Sequence, residues 1–97
     1  MNEKDRQAAA IGGIVCSERF RRILGRYKQK DRSLFQEIEK EIEKIINDPT
    51  VGKPFRYTLK NRRRVRVGSF VLVYEFHDGE LRFIDFDHHD KVYQKKL

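Results

Sequence analysis

The chain has 97 residues, with 22 Lys+Arg against 15 Asp+Glu for a formal net charge of +7, a length that allows one compact domain and excludes a multidomain enzyme. Hydrophobic residues make up 38% and charged residues 38%, so there is apolar material for one core and the signature of a disordered tail is missing. No apolar run approaches the roughly 18 residues of a membrane span, the mixed-charge start Met1 to Arg6 is unlike a secretory leader, and one cysteine with three His offers neither an intramolecular disulfide nor a metal-ligand spacing. The expectation is a soluble, cytoplasmic domain with no membrane contact, metal or other cofactor.

Residues 1–12 mix charge with Ala8-Ala9-Ala10 and show no periodic apolar face, so they read as a loosely ordered arm. Ile11, Ile14 and Val15 are the first residues suited to a core, and a short edge strand after Gly12-Gly13 would hold them. Ser17 has the chemistry of a helix N-cap, with Glu18 favouring the positive end of the helix dipole. Phe20, Ile23, Leu24 and Tyr27 then share one face, which predicts a first helix running to about Lys30. Asp31 or Ser33 would cap a second helix, in which Leu34, Phe35, Ile38, Ile42, Ile45 and Ile46 form the apolar face, and Pro49 ends it. Two adjacent helices with one apolar stripe each form a hairpin that must cover something else.

The second half supplies the partner. Phe55, Tyr57 and Leu59 alternate with Arg56, Thr58 and Lys60, which predicts a strand. From Arg62 to Val67, Val65 and Val67 face inward and Arg64 and Arg66 outward. Gly68-Ser69 turns the chain into Phe70 to Phe76, a central strand because it is apolar on both faces. Asp78-Gly79 favours a two-residue type I′ hairpin that returns Leu81 to Phe86 antiparallel. Asp87 to Leu97 reads as a polar tail with at most one helical turn. The fold class is therefore α+β: a single domain over 1–97 in which an N-terminal helical hairpin packs on a curved antiparallel meander of about four strands, extended by a short N-terminal edge strand. The bulkier face of the central strand, with Phe70, Leu72, Tyr74 and Phe76, should meet the helices and leave the opposite face uncovered by helix.

The positive charge is concentrated. Residues 49–97 carry eleven Lys/Arg and six Asp/Glu, a net of +5, against +2 in the first half. Lys53 to Val67 holds Lys53, Arg56, Lys60, Arg62, Arg63, Arg64 and Arg66 with no acid, a field that draws in a polyanion. Arginine pairs bidentately with phosphate oxygens, and Arg64 and Arg66, two apart on a strand, make a two-pronged clamp for a nucleic-acid backbone. The stretch from Asp85 to Tyr93 adds His88, His89 and a phenol at the edge of the sheet, and histidine can pass a proton near neutrality. Asp87, His88 and His89 are consecutive, a poor arrangement for chelating one ion from an extended chain. Neither a Gly-rich phosphate loop nor a serine nucleophile elbow is present, and Cys16 reads as a small hydrophobe.

The order of these features, two helices, Asn47-Asp48-Pro49, Gly52-Lys53-Pro54-Phe55, Leu59-Lys60, then Arg64-x-Arg66-x-Gly68-x-Phe70-x-Leu72-x-Tyr74 and the close His88-His89-Asp90-Lys91-Val92-Tyr93, resembles the RelE/ParE toxin superfamily of type II toxin–antitoxin systems over roughly Ile14 to Tyr93. The resemblance implies a small toxin whose curved sheet binds RNA and, in the RelE branch, cuts mRNA in the ribosomal A site without metal. On this reading Arg64 and Arg66 match paired basic residues that stabilise the transition state. His88 or His89 matches the basic or His position that transfers a proton, and Tyr93 the closing Tyr that stacks on a base or donates a proton. Lys53, Arg56, Lys60, Arg62, Arg63 and Arg82 are then expected to bind RNA. Val71 stands where RelE-type nucleases commonly carry a phosphate-contacting Arg, so Arg62, Arg63 or Arg82 would have to compensate, or cleavage is poor. ParE-like members share the fold, lack the nuclease constellation and inhibit DNA gyrase. The alternative is therefore a non-catalytic member, either a gyrase inhibitor or a degenerate toxin that only engages its antitoxin. The family further implies a cognate RelB-like antitoxin in a hetero-oligomer, with mRNA and the ribosome as targets.

Overall fold

Capping hydrogen bonds at three boundaries, two of them from side chains, set the helices in place. A computed structural model describes residues 12–55 and 61–94, in which the chain runs β1 (Gly13–Cys16), α1 (Glu18–Lys30), α2 (Arg32–Asn47), β2 (Lys53–Pro54), β3 (Arg62–Val67), β4 (Phe70–His77), β5 (Glu80–His88) and α3 (His89–Gln94). Ser17 is the N-cap of α1: its hydroxyl accepts from the Phe20 N–H at 3.0 Å and donates to the Ile84 carbonyl at 2.8 Å, tying the helix start to β5. Of the two candidates for the second cap, Asp31 takes the place, accepting from the Leu34 N–H at 3.1 Å. The same residue closes α1, its N–H donating to the Tyr27 carbonyl, so one residue joins the helices. Asp48 closes α2 by donating to the Lys44 carbonyl, just before Pro49.

The sheet has the order β1-β5-β4-β3-β2. Every pairing is antiparallel except that of β1, the expected edge strand, which lies parallel to β5 with Ile14 opposite Leu81 and Cys16 opposite Phe83. Asp78 and Gly79 both have positive φ, 50° and 77°, the conformation a type I′ hairpin requires. Between β4 and β5 the register slips at Val73/Tyr74, which face Asp85 and Phe83 and leave Ile84 as the extra residue. Beside this bulge Asp85 is buried, and the Arg19 Nε from α1 donates to it at 2.8 Å.

The core lies between the helical hairpin and the expected face of the sheet: Phe20, Ile23, Ile38 and Ile45 pack on Leu72, Tyr74, Leu81, Phe83 and Phe86. Two expectations need correction. The other face is not bare: Val71 and Val73 are buried there under Val92 of α3, with Phe55 and Ile84 against them. Helix α3 reads as polar because Val92 is its one aliphatic residue, and that residue packs on the two buried valines. The last strand also continues to His88, beyond the expected end at Phe86. The expected N-terminal arm, and the strand positions Arg56 to Lys60, lie outside the described residues except for Gly12. In β2, Pro54 pairs with Arg63. The Phe55 N–H donates to the Arg62 carbonyl at 3.0 Å, so bonded positions alternate and Pro54 falls where no ladder N–H is needed.

Candidate functional site

Period-two geometry puts Arg62, Arg64 and Arg66 on the face of β3 opposite Val65 and Val67, and β2 reaches only as far as Arg64. The next position, Arg66, opens into a cleft of about 390 Å³ between β3 and α3, lined by Lys53, Arg64, Arg66, Val71, His89 and Tyr93, with Glu41, Val51 and Val65 completing its wall.

The arginines of the clamp are held differently. The Arg64 guanidinium lies 5.5 Å from the Phe55 ring centroid and 5.7 Å from that of Tyr93, and its Nη1 donates to the Pro54 carbonyl at 2.9 Å. Two ring faces attract the cation and fix its plane, so Arg64 organises the floor of the cleft. Arg66 is exposed, steadied by its Nε donating to the Gly68 carbonyl at 3.2 Å, and it makes no ion pair among the described residues. Lys53 is likewise exposed and unpaired there. Both keep their charge available to an anion.

Of the two neighbouring histidines only His89 lines the cleft. His89 begins α3, where its backbone N–H donates to the Ser69 carbonyl at 2.9 Å. Its ring meets Tyr93 edge-on at 4.8 Å and its Nδ1 sits 3.4 Å from an Asp90 carboxylate oxygen. His88 is still strand, and its ring stacks on Phe70 at 4.3 Å, on the side of the helical hairpin. It contributes only to a shallower depression shared with Arg66, Ser69, His89 and Asp90.

The structure does not bring the other expected cations into the cleft. Arg62 donates to Glu75 at 3.0 Å, and Arg82 to Glu80 at 2.8 Å at the far end of the same face. Arg63 points to the other face, where it donates to the carbonyls of Thr50 at 3.2 Å and Gly52 at 2.8 Å. Arg56 and Lys60 lie outside the described residues. None of Arg62, Arg63 and Arg82 lines the cleft beside Val71.

Sequence reasoning also missed how the cleft wall is fastened. Tyr74 is fully buried and its hydroxyl accepts from the Gly52 N–H at 2.9 Å while donating to the Pro49 carbonyl at 2.7 Å. This anchors the loop that delivers Val51 and Lys53. Burial pushes the Tyr74 phenol above its ordinary pKa. At the mouth of the same loop the Thr50 hydroxyl and N–H donate to Asp48 at 2.6 and 3.1 Å, which holds that carboxyl below its ordinary range. Glu41, three residues after Ile38 and four before Ile45 on α2, brings a carboxylate to the cleft from the margin of the apolar stripe. Among the described residues no group of three His, Cys, Asp or Glu is arranged to hold a metal ion, and no helix is long and apolar enough to cross a membrane.

A helical hairpin on a five-stranded sheet, with a cationic cleft between the sheet and a short final helix, defines a RelE-like toxin. The family model of the ParE toxin of type II toxin–antitoxin systems, parDE, matches residues 14–93, and the chain belongs to that family. It is 36% identical over 78 residues to a protein of Methanocaldococcus jannaschii named RelE4, covering 77% of this chain and 83% of the relative. Among solved structures, YafQ in the Escherichia coli DinJ–YafQ complex superposes with a TM-score of 0.69 at 17% identity, over 82% of this chain and 96% of YafQ. The YoeB dimer of Staphylococcus aureus gives 0.68 at 17% identity, over 79% and 95%. At such identities the likeness is one of fold.

Proposed function

We propose that the chain is a toxin that cuts mRNA on the translating ribosome, and hence acts in the cytoplasm, through chemistry supplied by protein side chains. The observation that carries this reading is the convergence of Lys53, Arg64, Arg66, His89 and Tyr93 on one cleft. RNA brings its own nucleophile: the ribose 2′-oxygen attacks the adjacent phosphorus, a 2′,3′-cyclic phosphate forms and the 5′-oxygen leaves. The enzyme must help remove the 2′-OH proton, offset charge on the pentavalent phosphorus and return a proton to the leaving oxygen. Arg66 and Lys53 are the exposed cations that meet the phosphate. Arg64, fixed between two rings, orients Tyr93 for stacking on a base. His89 handles proton transfer, and His88, stacked on Phe70 outside the cleft, does not. Arginine is a poor base because its pKa exceeds about 12, which leaves Arg64 and Arg66 an electrostatic role.

Primer extension on translated mRNA tests this. Cuts within codons are expected from the parent, reduced roughly 10²- to 10³-fold in Arg66→Ala; intact mRNA with the parent chain removes the proposal. The second reading, a gyrase inhibitor, draws support from Val71, which is apolar, 2% exposed and roofed by Val92 where a nuclease of this superfamily would place a charge. Unchanged supercoiling by gyrase in the presence of the purified protein excludes it. Either activity calls for restraint. The fold neighbour YafQ has been solved in complex with DinJ, and a cationic cleft suits an acidic antitoxin segment. Co-purification with an acidic small protein encoded beside it is the expected result.

A further inference from the structure

Helix α1 carries a second cationic surface, on the opposite side of the sheet from the cleft. Its 13 residues hold Arg19, Arg21, Arg22, Arg26, Lys28 and Lys30 against one acid, Glu18, whereas α2 balances three cations with four acids. Arg22, Arg26 and Lys30 fall at i, i+4 and i+8, one line of exposed charge about 12 Å long. None of the three makes an ion pair among the described residues. Arg19, which continues the line, is instead joined to Asp85 and Asp87.

Like charges four apart on a helix repel and weaken it, and α2 shows that this fold can use the opposite pattern, with Lys44 on Glu41 at 3.3 Å. A line of unpaired like charges attracts a polyanion. Every exposed residue of α1 is charged, Gln29 or Gly25, with no aromatic or aliphatic side chain among them. The core of a protein–protein interface combines Arg with buried aromatic or aliphatic anchors, which this face lacks, whereas a phosphate backbone is bound by spaced cations. We infer that the Arg22–Arg26–Lys30 ridge binds the backbone of structured, double-stranded RNA, a contact independent of the single strand taken by the cleft. The inference builds on the RNA-directed reading above, and it assigns the toxin two RNA surfaces on opposite faces of one sheet.

Fluorescence anisotropy with two probes tests it: an RNA duplex of about 20 base pairs and a single-stranded RNA of about ten nucleotides. The triple variant Arg22→Gln, Arg26→Gln, Lys30→Gln should bind the duplex roughly tenfold more weakly. The slope of log affinity against log salt should fall in magnitude by about 2 to 3, near one per lost phosphate contact. Binding of the single strand should be unchanged, and Arg66→Ala should give the reverse pattern. Arg22→Lys with Arg26→Lys, keeping the charge, should retain the parental slope. Circular dichroism melts verify that the exposed substitutions leave the fold intact. Equal duplex affinity and slope in parent and triple variant overturn the inference while leaving the cleft reading to its own primer-extension result. So does loss of a co-expressed acidic protein with duplex binding unchanged, which would assign the ridge to that protein.

Discussion

Removing a single oxygen atom, in Tyr74→Phe, should cost far more than its volume suggests. The Tyr74 hydroxyl is shared between the Gly52 N–H at 2.9 Å and the Pro49 carbonyl at 2.7 Å, and both residues are themselves buried. Phenylalanine preserves the ring and its packing on Phe83, whose centroid is 6.3 Å away, so the loss is purely polar. A buried donor or acceptor left without a partner costs about 1–3 kcal/mol; with two such groups, and some relaxation of the loop toward water, about 2–4 kcal/mol is expected. At roughly 4–8 °C of Tm per kcal/mol for a domain of this size, the melting temperature should drop by at least about 8 °C. Urea titration and thermal melts give the size, and hydrogen exchange gives the place: the Gly52 amide should exchange faster while the amides of α1 keep their protection. The variant should also lose part of the alkaline sensitivity of the parent. Because burial raises the phenol above its ordinary value of 10.0, the folded chain keeps a proton that the unfolded chain releases. That contribution is whole below pH 10 and lost as pH rises through the folded value. A Tyr74→Phe chain within about 0.5 kcal/mol of the parent, with Gly52 still protected, would refute the claim that this hydroxyl fastens the loop.

The same loop predicts a destabilised Gly52→Ala, because an added Cβ would lie 2.7 Å from the Tyr74 hydroxyl, 2.8 Å from its ring and 3.0 Å from the Arg64 carbonyl; a loss of about 1–3 kcal/mol in denaturant titration is expected. In Thr50→Ala the Asp48 carboxyl loses its strongest hydrogen bond, so its pKa, followed by NMR, should rise toward the ordinary 3.8. The parent's Asp48 stabilises the fold above that value and loses the effect as pH falls through the lower folded value, a slope the variant should flatten. Ser17→Ala removes both the cap on Phe20 and the donor to Ile84 and should cost about 1–2 kcal/mol in the same titration. If the cleft cuts RNA, His89→Gln should slow cleavage roughly 10²- to 10⁴-fold and His88→Gln should leave it near the parental rate; equal effects would contradict the separation of the two rings.

The sequence shows most plainly whatever is local. Ser17 and Asp31 announce caps, Asp78-Gly79 announces its turn, and the alternation through β3 sorts Arg64 and Arg66 from Val65 and Val67, because each depends on neighbours a few residues away. What stays hidden is decided across the fold. The charge run from Lys53 to Arg66 looks uniform, yet Glu75 takes Arg62 and two loop carbonyls take Arg63, partners 11 to 13 residues away that no spacing rule reveals. His88 and His89 are alike in sequence and part company only because the chain passes from strand to helix between them. Tyr74 reads as an ordinary core aromatic, since nothing in its surroundings along the chain points to a loop 22 residues upstream.

The parallel pairing of β1 with β5 joins the two ends of the described chain, Cys16 lying opposite Phe83. Contacts at such separation form late, after the loop between them has closed. As synthesis proceeds, β1 must wait for its neighbour until β5 has been made, and a product that stops short of β5 has neither that strand nor the helix carrying His89 and Tyr93. Chains terminated before β5 are therefore blank: assembly of the edge strand and completion of the cleft depend on the same stretch of chain, from Glu80 onward.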